Sequence, residues 1–372
     1  MTTPFAEPLQ QIDRTFVLWR GRKLSYFAGC DYLRLSSHPA VLKAARSALD
    51  SVGLNVSASR KTTGNHPIYD ELESATRKFF GAESAVLSST GYFTNIIAAQ
   101  ALRGSIDQVF IDERAHGSLR DAALFLGCPI ESFAHRDAGD LAKKIGKRSG
   151  KRTAVLTDGM FAHDGSLAPL AVYRKAIGPE ALLWVDDAHA GGIIGKNGRG
   201  TVENAGLKRE NLLQTITFSK AFGTYGGAIL CSRELGAAII EKSPAVGGNT
   251  PTPLPLAFAT VAALMCCDSK VRTKLLNNIR AFWKRLNLPA PPVLAPIIAA
   301  CPENPSALRR KLLAAGIYPP LIKYPGGPAE GYFRFALSSE HSARQIDALA
   351  DVLSDFRDAL QASIQTSPIS SR

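Results

Sequence analysis

The sequence predicts an α/β fold built on a mostly parallel central sheet, followed by a smaller α+β domain. Three observations predict it. Between about Ser84 and Cys231 short apolar runs alternate with longer helical patterns: A-V-L-S, Q-V-F-I-D, T-A-V-L-T-D, L-L-W-V-D, T-I-T-F and G-A-I-L-C. Continuous apolar runs of this kind suit strands buried on both faces. The segments between them are long enough for the crossover helices that parallel neighbours require. At 372 residues the chain also exceeds the roughly 250–300 residues at which one hydrophobic core stops growing, so a large and a smaller domain follow.

In chain order, residues 1–45 read as an N-terminal arm, 46–267 as the large domain and 268–372 as the small one. Pro39 to Val52 and Pro67 to Phe80 read as helices. Each has proline near its start, where the fixed φ suits the first turn and the missing N–H is not needed. N-V-S-A-S-R-K-T-T-G-N-H between them is a polar loop. The strand runs follow, with Gly117 to Leu126 and Leu141 to Arg148 as crossover helices. Pro251, Pro253 and Pro255 then interrupt the pattern before a long helical region from Leu256 to about Leu286, and the domain change falls near Cys267. The remainder reads as a strand (P-V-L-A-P-I-I-A), a helix from Ala307 to Ala315, a strand (Y-F-R-F-A-L) and a closing helix from His341 to Leu360.

Composition narrows the class of protein. Hydrophobic residues at 45% and charged residues at 20% are ordinary for a folded globular chain. No stretch approaches the ~20 apolar residues of a membrane span, and the first ten residues lack a signal peptide's basic start and apolar core, so the expected address is the cytoplasm. The six cysteines are scattered without a C-x-x-C pair or histidines at metal spacing, and read as reduced. Lys plus Arg total 44 against 32 Asp plus Glu, a net +12. The basic residues are spread out, and the one dense run, Lys143 to Arg152, contains glycines and serine and reads as a solvated helix end and loop rather than a nucleic-acid surface. A diffuse positive field favours anionic substrates.

Several strand runs end on polar residues: Asp112, Asp158, Asp186, and Ser219 with Lys220. In open α/β sheets ligands bind outside the carboxyl ends of the strands, where these side chains would gather. Asp186 closes the run L-L-W-V, where an unpaired carboxylate is costly and calls for a cationic partner; a helix N-cap by Asp186 or Asp187 is the local alternative. Lys220 follows a strand run and precedes the turn A-F-G-T-Y-G-G. An acid and a lysine so placed suit a cofactor with a basic ring nitrogen and an aldehyde.

Six segments extend this pattern: R-K-L-S-Y-F-A-G-C-D-Y-L-R-L-S-S-H-P, D-E-R-A-H-G-S-L, D-G-M-F-A-H-D-G-S-L-A-P-L, V-D-D-A-H, G-I-I-G-K-N-G-R-G and T-F-S-K-A-F-G. In these segments, and from about Leu24 to Leu353, the chain resembles the α-oxoamine synthase family of fold-type-I pyridoxal-phosphate (PLP) enzymes. The resemblance implies PLP as cofactor and no metal. It makes Lys220 the Schiff-base lysine, Asp186 the partner of the pyridine nitrogen, His189 the partner of the phenolic oxygen and His116 the histidine stacked on the ring. Thr90, Gly91 and Tyr92 match the turn whose backbone amides cradle the phosphate at a helix start, and Thr217 adds a hydroxyl. Thr250, with Thr252 as the alternative register, matches a residue reaching the phosphate from a neighbouring subunit, which implies a homodimer with shared sites. Arg334 matches the arginine that holds the amino acid's carboxylate in a bidentate fork. The implied reaction is a decarboxylative condensation of a small amino acid with an acyl thioester, carried by coenzyme A or a carrier. An aminotransferase on the same grip, or a catalytically silent binding or regulatory relative, are the alternatives.

The chain departs from the family's pattern near the implied substrate entrance. Cys30 stands where asparagine is usual, Ala162 and His163 where serine and methionine are, V-S-A-S from Val56 to Ser59 where a glycine-rich stretch is, and Tyr69 where histidine is. Cofactor positions are kept, so these changes bear on the identity of the substrates.

Overall fold

The computed structural model describes residues 6–146, 151–323, 328 and 330–360. Residues 147–150 of the basic run, and the last residues of the chain, lie outside the described residues. The described residues fall into two compact units, one made of those within 1–34, 163–165 and 270–372 and the other of those within 35–162 and 166–269.

The smaller unit begins with β1 (Gln10–Gln11), β2 (Phe16–Trp19) and β3 (Arg22–Ser25), an antiparallel sheet in the order β1-β2-β3. In the larger unit come α1 (Pro39–Val52), α2 (Pro67–Phe80), β4 (Ser84–Ser88), α3 (Gly91–Leu102), β5 (Gln108–Asp112), α4 (Gly117–Leu126), β6 (Ile130–Phe133), α5 (Ala138–Gly146), β7 (Thr153–Asp158) and α6 (Leu170–Ile177). These are followed by β8 (Leu182–Asp186), α7 (Thr201–Asn204), β9 (Leu212–Thr217), β10 (Gly227–Cys231), α8 (Arg233–Lys242), α9 (Pro244–Gly248) and α10 (Leu254–Cys266). The chain then returns to the smaller unit with α11 (Ser269–Leu286), β11 (Ile297–Ala300), α12 (Pro305–Ala314), β12 (Leu321–Ile322), β13 (Tyr332–Ala336) and α13 (Ala343–Ser354).

The seven-stranded sheet runs β4-β10-β9-β8-β7-β5-β6. The pairs from β9 to β6 are parallel, and β10 lies antiparallel to both β9 and β4. Every residue of β5, β7, β9 and β10 is buried, which is why these runs show no polar alternation. The two-residue period still sorts them: Val109 and Ile111 join one core cluster with α3, α4 and α8, while Phe110 joins the other with α5 and α6. Among the described residues no single helix is long and apolar enough to cross a membrane.

Three boundaries differ from the sequence reading. The arm drawn to residue 45 ends at Arg34, because the backbone of Ser25, Phe27 and Tyr32 bonds the C-terminal part of the chain, as in Tyr318 N to Ser25 O at 2.9 Å and Ala336 N to Phe27 O at 2.7 Å. The division near Cys267 falls at Ser269, and the helical region from Leu256 is two helices, α10 and α11, with Asp268 in neither. The closing helix starts late because Ser342 and Gln345 form a capping box.

Candidate active site

Four parallel strands end in polar side chains at one edge of the sheet. Asp158 of β7 and Asp186 of β8 are direct partners in the ladder, and Asp112 and Thr217 close β5 and β9. Eight residues singled out in the sequence, Thr90, Gly91, Tyr92, His116, Asp186, His189, Thr217 and Lys220, line one cavity of about 310 Å3. Ser118, Asp158, Ala188 and Ser219 complete its wall.

Asp186 is 5% exposed and takes hydrogen bonds from Asn95 Nδ2 at 2.7 Å and the Ala188 amide at 3.0 Å, with Ser118 Oγ 3.4 Å away. Both donors are neutral groups, so neither supplies a countercharge to the carboxylate. The adjacent Asp187 is fully buried beside Thr201 and Gln214; burial pushes its carboxyl up to about 6. Neither acid occupies the N-cap position of a helix, though Asp187 takes the first amide of α7 from a distance at 2.9 Å.

Asp158 is buried next to Asp186, and burial with that neighbour pushes its carboxyl well above the usual range. It accepts the His116 amide at 2.8 Å, which pins the N-cap of α4 over the strand ends. His116 Nδ1 accepts the Ser118 amide at 3.2 Å and lies 2.8 Å from Ser118 Oγ. Burial lowers the affinity of this ring for a proton, opposed by Asp186 and aided by Lys220.

Lys220 sits on the loop joining β9 to β10. Phe218 N to Gly226 O and Gly223 N to Lys220 O, both 2.9 Å, close that loop, and the buried Phe218 and Phe222 rings anchor it. Across the cavity, Thr90 caps α3 by accepting the Phe93 amide at 3.1 Å. A Cβ on Gly91 would meet Thr217 Cβ at 2.5 Å, so only glycine lets the helix start reach β9. The first-turn amides of a helix have no partner within it and carry its positive pole. Thr217 Oγ1 lies 2.8 Å from Ser219 Oγ and 3.1 Å from Gly226 O. Tyr92 bonds Asp121 and meets the His116 ring edge-on at 6.0 Å.

Four residues named from the sequence do not line this cavity. Thr250 is exposed and Thr252 buried, its carbonyl accepting Tyr69 Oη at 2.8 Å. Arg334 is half-buried on β13, and Cys30 is half-buried in the same smaller unit. Sequence reasoning missed Asn95 and Ser118 as site residues, while Ser219, read as a strand-end polar residue, does line the cavity. The signal for Asn95 was its place in an otherwise apolar helix, one turn after Gly91 and so on the same face.

This donor set fits PLP. A helix start and two hydroxyls suit a phosphate, a buried carboxylate held by neutral donors suits a protonated pyridine nitrogen, and the Lys220 amine shares the cavity with both.

Comparison with known proteins agrees. The family model for aminotransferases of class I and II matches residues 27–353. A putative 8-amino-7-oxononanoate synthase of Desulforudis audaxviator is 33% identical over 93% of this chain and 92% of its own. The 8-amino-7-oxononanoate synthase of Thioalkalivibrio sulfidiphilus is 35% identical over 90% and 88%. Among solved structures, a serine palmitoyltransferase of S. paucimobilis with bound PLP and myriocin superposes with a TM-score of 0.86 at 26% identity, covering 97% of this chain and 94% of that one. With that match along nearly its whole length, the chain belongs to the aminotransferase class I and II family, among the fold-type-I, PLP-dependent α-oxoamine synthases.

Proposed function

We propose that this chain binds PLP in the cavity described above and joins a small amino acid to an acyl thioester, as in 8-amino-7-oxononanoate synthases. The amino acid's carboxyl leaves as carbon dioxide, the thioester's sulfur leaves as a thiol, and an α-amino ketone remains. The observation that carries this reading is the convergence of Asp186, Lys220, His116 and the α3 helix start on one cavity, in a chain a third identical to such synthases.

When bound, PLP supplies an electron sink for a carbanion at the amino acid's α-carbon. The protein's part is to bind, orient and move protons. Asp186 holds the proton on the ring nitrogen. Lys220 Nζ would tether the cofactor and is the amine placed to take the α-proton as general base. His116 covers one ring face and His189 bonds the phenolic oxygen. The amides at Gly91 and Tyr92, with Thr217, hold the phosphate. Arg334 takes the substrate carboxylate in a bidentate pair. A cytoplasmic homodimer, with Thr250 reaching the partner's phosphate site, belongs to the same reading.

The test is a titration of purified protein with alanine, glycine or serine and then with acyl thioesters, following the cofactor's visible absorbance and the free thiol. Thiol release in step with carbon dioxide supports the proposal. Formation of a keto acid without thiol release would reject it in favour of an aminotransferase.

A further inference from the structure

Asn95 does not line the cavity, yet its side chain touches two of the groups that do. We propose that Asn95 is a positioning residue that sets the Asp186 carboxylate directly and the His116 ring through Ser118. The proposal rests on the reading of the cavity as a PLP site and adds a residue to it.

The amide makes all four of its hydrogen bonds inside the protein. Nδ2 donates to Asp186 Oδ2 at 2.7 Å and to Ser118 Oγ at 3.0 Å. Oδ1 accepts Trp184 Nε1 at 3.1 Å and Thr215 Oγ1 at 2.9 Å. An amide's oxygen and nitrogen are assigned from their surroundings, and here the surroundings decide. The indole N–H of Trp184 only donates, so the atom facing it is oxygen and the NH2 group faces Asp186. Asn95 and Trp184 are fully buried and Thr215 is 1% exposed, so water does not compete for these bonds. Trp184 and Thr215 lie on β8 and β9 and Asn95 on α3, so the network locks helix to sheet at the depth of the acid.

The second branch follows from proton counting. Ser118 Oγ accepts from Asn95, and its own proton goes to His116 Nδ1 at 2.8 Å rather than to Asp186 Oδ2 at 3.4 Å. His116 Nδ1 also accepts the Ser118 amide. A nitrogen that accepts two bonds holds no proton, so the ring is neutral and carries its proton on Nε2. The lowered proton affinity of the buried ring agrees. One amide thereby aims the acid while fixing the tautomer of the ring beside it.

Asn95→Asp and Asn95→Ala test this. The apo proteins are titrated with PLP from mildly acidic to mildly alkaline pH, following protein fluorescence, and their melting temperatures are recorded without cofactor. Loss of a hydrogen bond to a charged group weakens affinity about 10- to 100-fold. Asn95→Ala shows that loss at every pH. Asn95→Asp places a carboxyl oxygen against Asp186 Oδ2 and can donate only when protonated, so its affinity falls at neutral pH and recovers about tenfold or more on acidification. Asp186, Asp158, His116 and Lys220 also face this region, and they are common to wild type and variant, so the ratio of the two curves is the readout. Wild-type affinity in both variants overturns the proposal. So does a pH-independent loss in Asn95→Asp that tracks its melting temperature, which marks a merely structural residue. If wild-type protein takes up no PLP, the reading of the cavity itself fails and the proposal falls with it.

Discussion

Asp186 and Asp187 are neighbours in the chain with opposite environments, and the difference is which donors surround them. Asp186 faces the cavity, while Asp187 points into the core, where burial raises its carboxyl to about 6 against the opposing hydrogen bonds from Thr201 and Gln214. A folded-state value above the unfolded one means that Asp187 contributes stability below about pH 4, and that this is lost as pH rises to about 6. The shift from 3.8 corresponds to about 3 kcal/mol. Asparagine accepts from Gln214 as the acid does, and meets Thr201 Oγ1, which donates to the acid, with its own NH2 group instead. Asp187→Asn is therefore expected to match wild type in melting temperature near pH 4 and exceed it above pH 6. A constant difference across that range would refute the assignment. At the cavity, Lys220→Ala is expected to remove the visible cofactor band and to lower thiol release by about 100-fold or more, measured with saturating PLP.

Among the elements, the meeting of α3 with β9 decides whether a phosphate cradle forms. α3 is buried on nearly all sides, so its hydrophobicity does not show which side faces the sheet. Gly91 and Asn95, one turn apart, mark that side. Gly91→Ala would push a methyl onto Thr217, and overpacking of this kind costs about 1–3 kcal/mol. The expected result is a lower melting temperature and a PLP affinity reduced about tenfold or more; inorganic phosphate, which competes only for the cradle, should protect the variant less than wild type. In the smaller unit, His341 links strand and helix connections. Its Nδ1 accepts the Ser338 amide at 3.0 Å and its Nε2 donates to Tyr26 O at 3.0 Å, while the ring stacks on Phe27. Burial depresses its titration to about 3.

For the molecule as a whole, that depressed histidine predicts acid sensitivity. A folded-state value below the unfolded one gives stability that is present above about pH 6.5 and lost as pH falls toward 3. The shift is worth about 5 kcal/mol, more than the opposing contribution of Asp187. Between about pH 6 and about pH 4 the two contributions nearly offset, so melting temperature is expected to fall mainly below about pH 4, and His341→Gln, which keeps a donor and an acceptor without a titrating group, should flatten that fall. A second prediction at this scale concerns assembly. If Thr250 serves the partner's site, sedimentation will show a dimer and Thr250→Val will weaken PLP binding; a monomer with full affinity would rule this out.

Much of the fold was legible in the sequence because a strand buried on both faces needs a continuous apolar run, and a helix following proline needs an amphipathic one. The motif residues from Thr90 to Lys220 were legible because each stands at a strand end or helix start, positions that local sequence marks. The placement of Arg34 and residues before it with the C-terminal unit was not, since backbone hydrogen bonds between distant segments leave no trace in side-chain pattern. The same holds for Asn95 and Ser118, whose roles come from partners on β8, β9 and α4. The sequence by itself determined the alternation of strand and helix and the chemical groups that end the strands, since periodicity and residue type are local. Only the tertiary structure decided which acid faces the cavity and which is buried, and which amide aims it, because those depend on donors contributed by elements far apart in the chain.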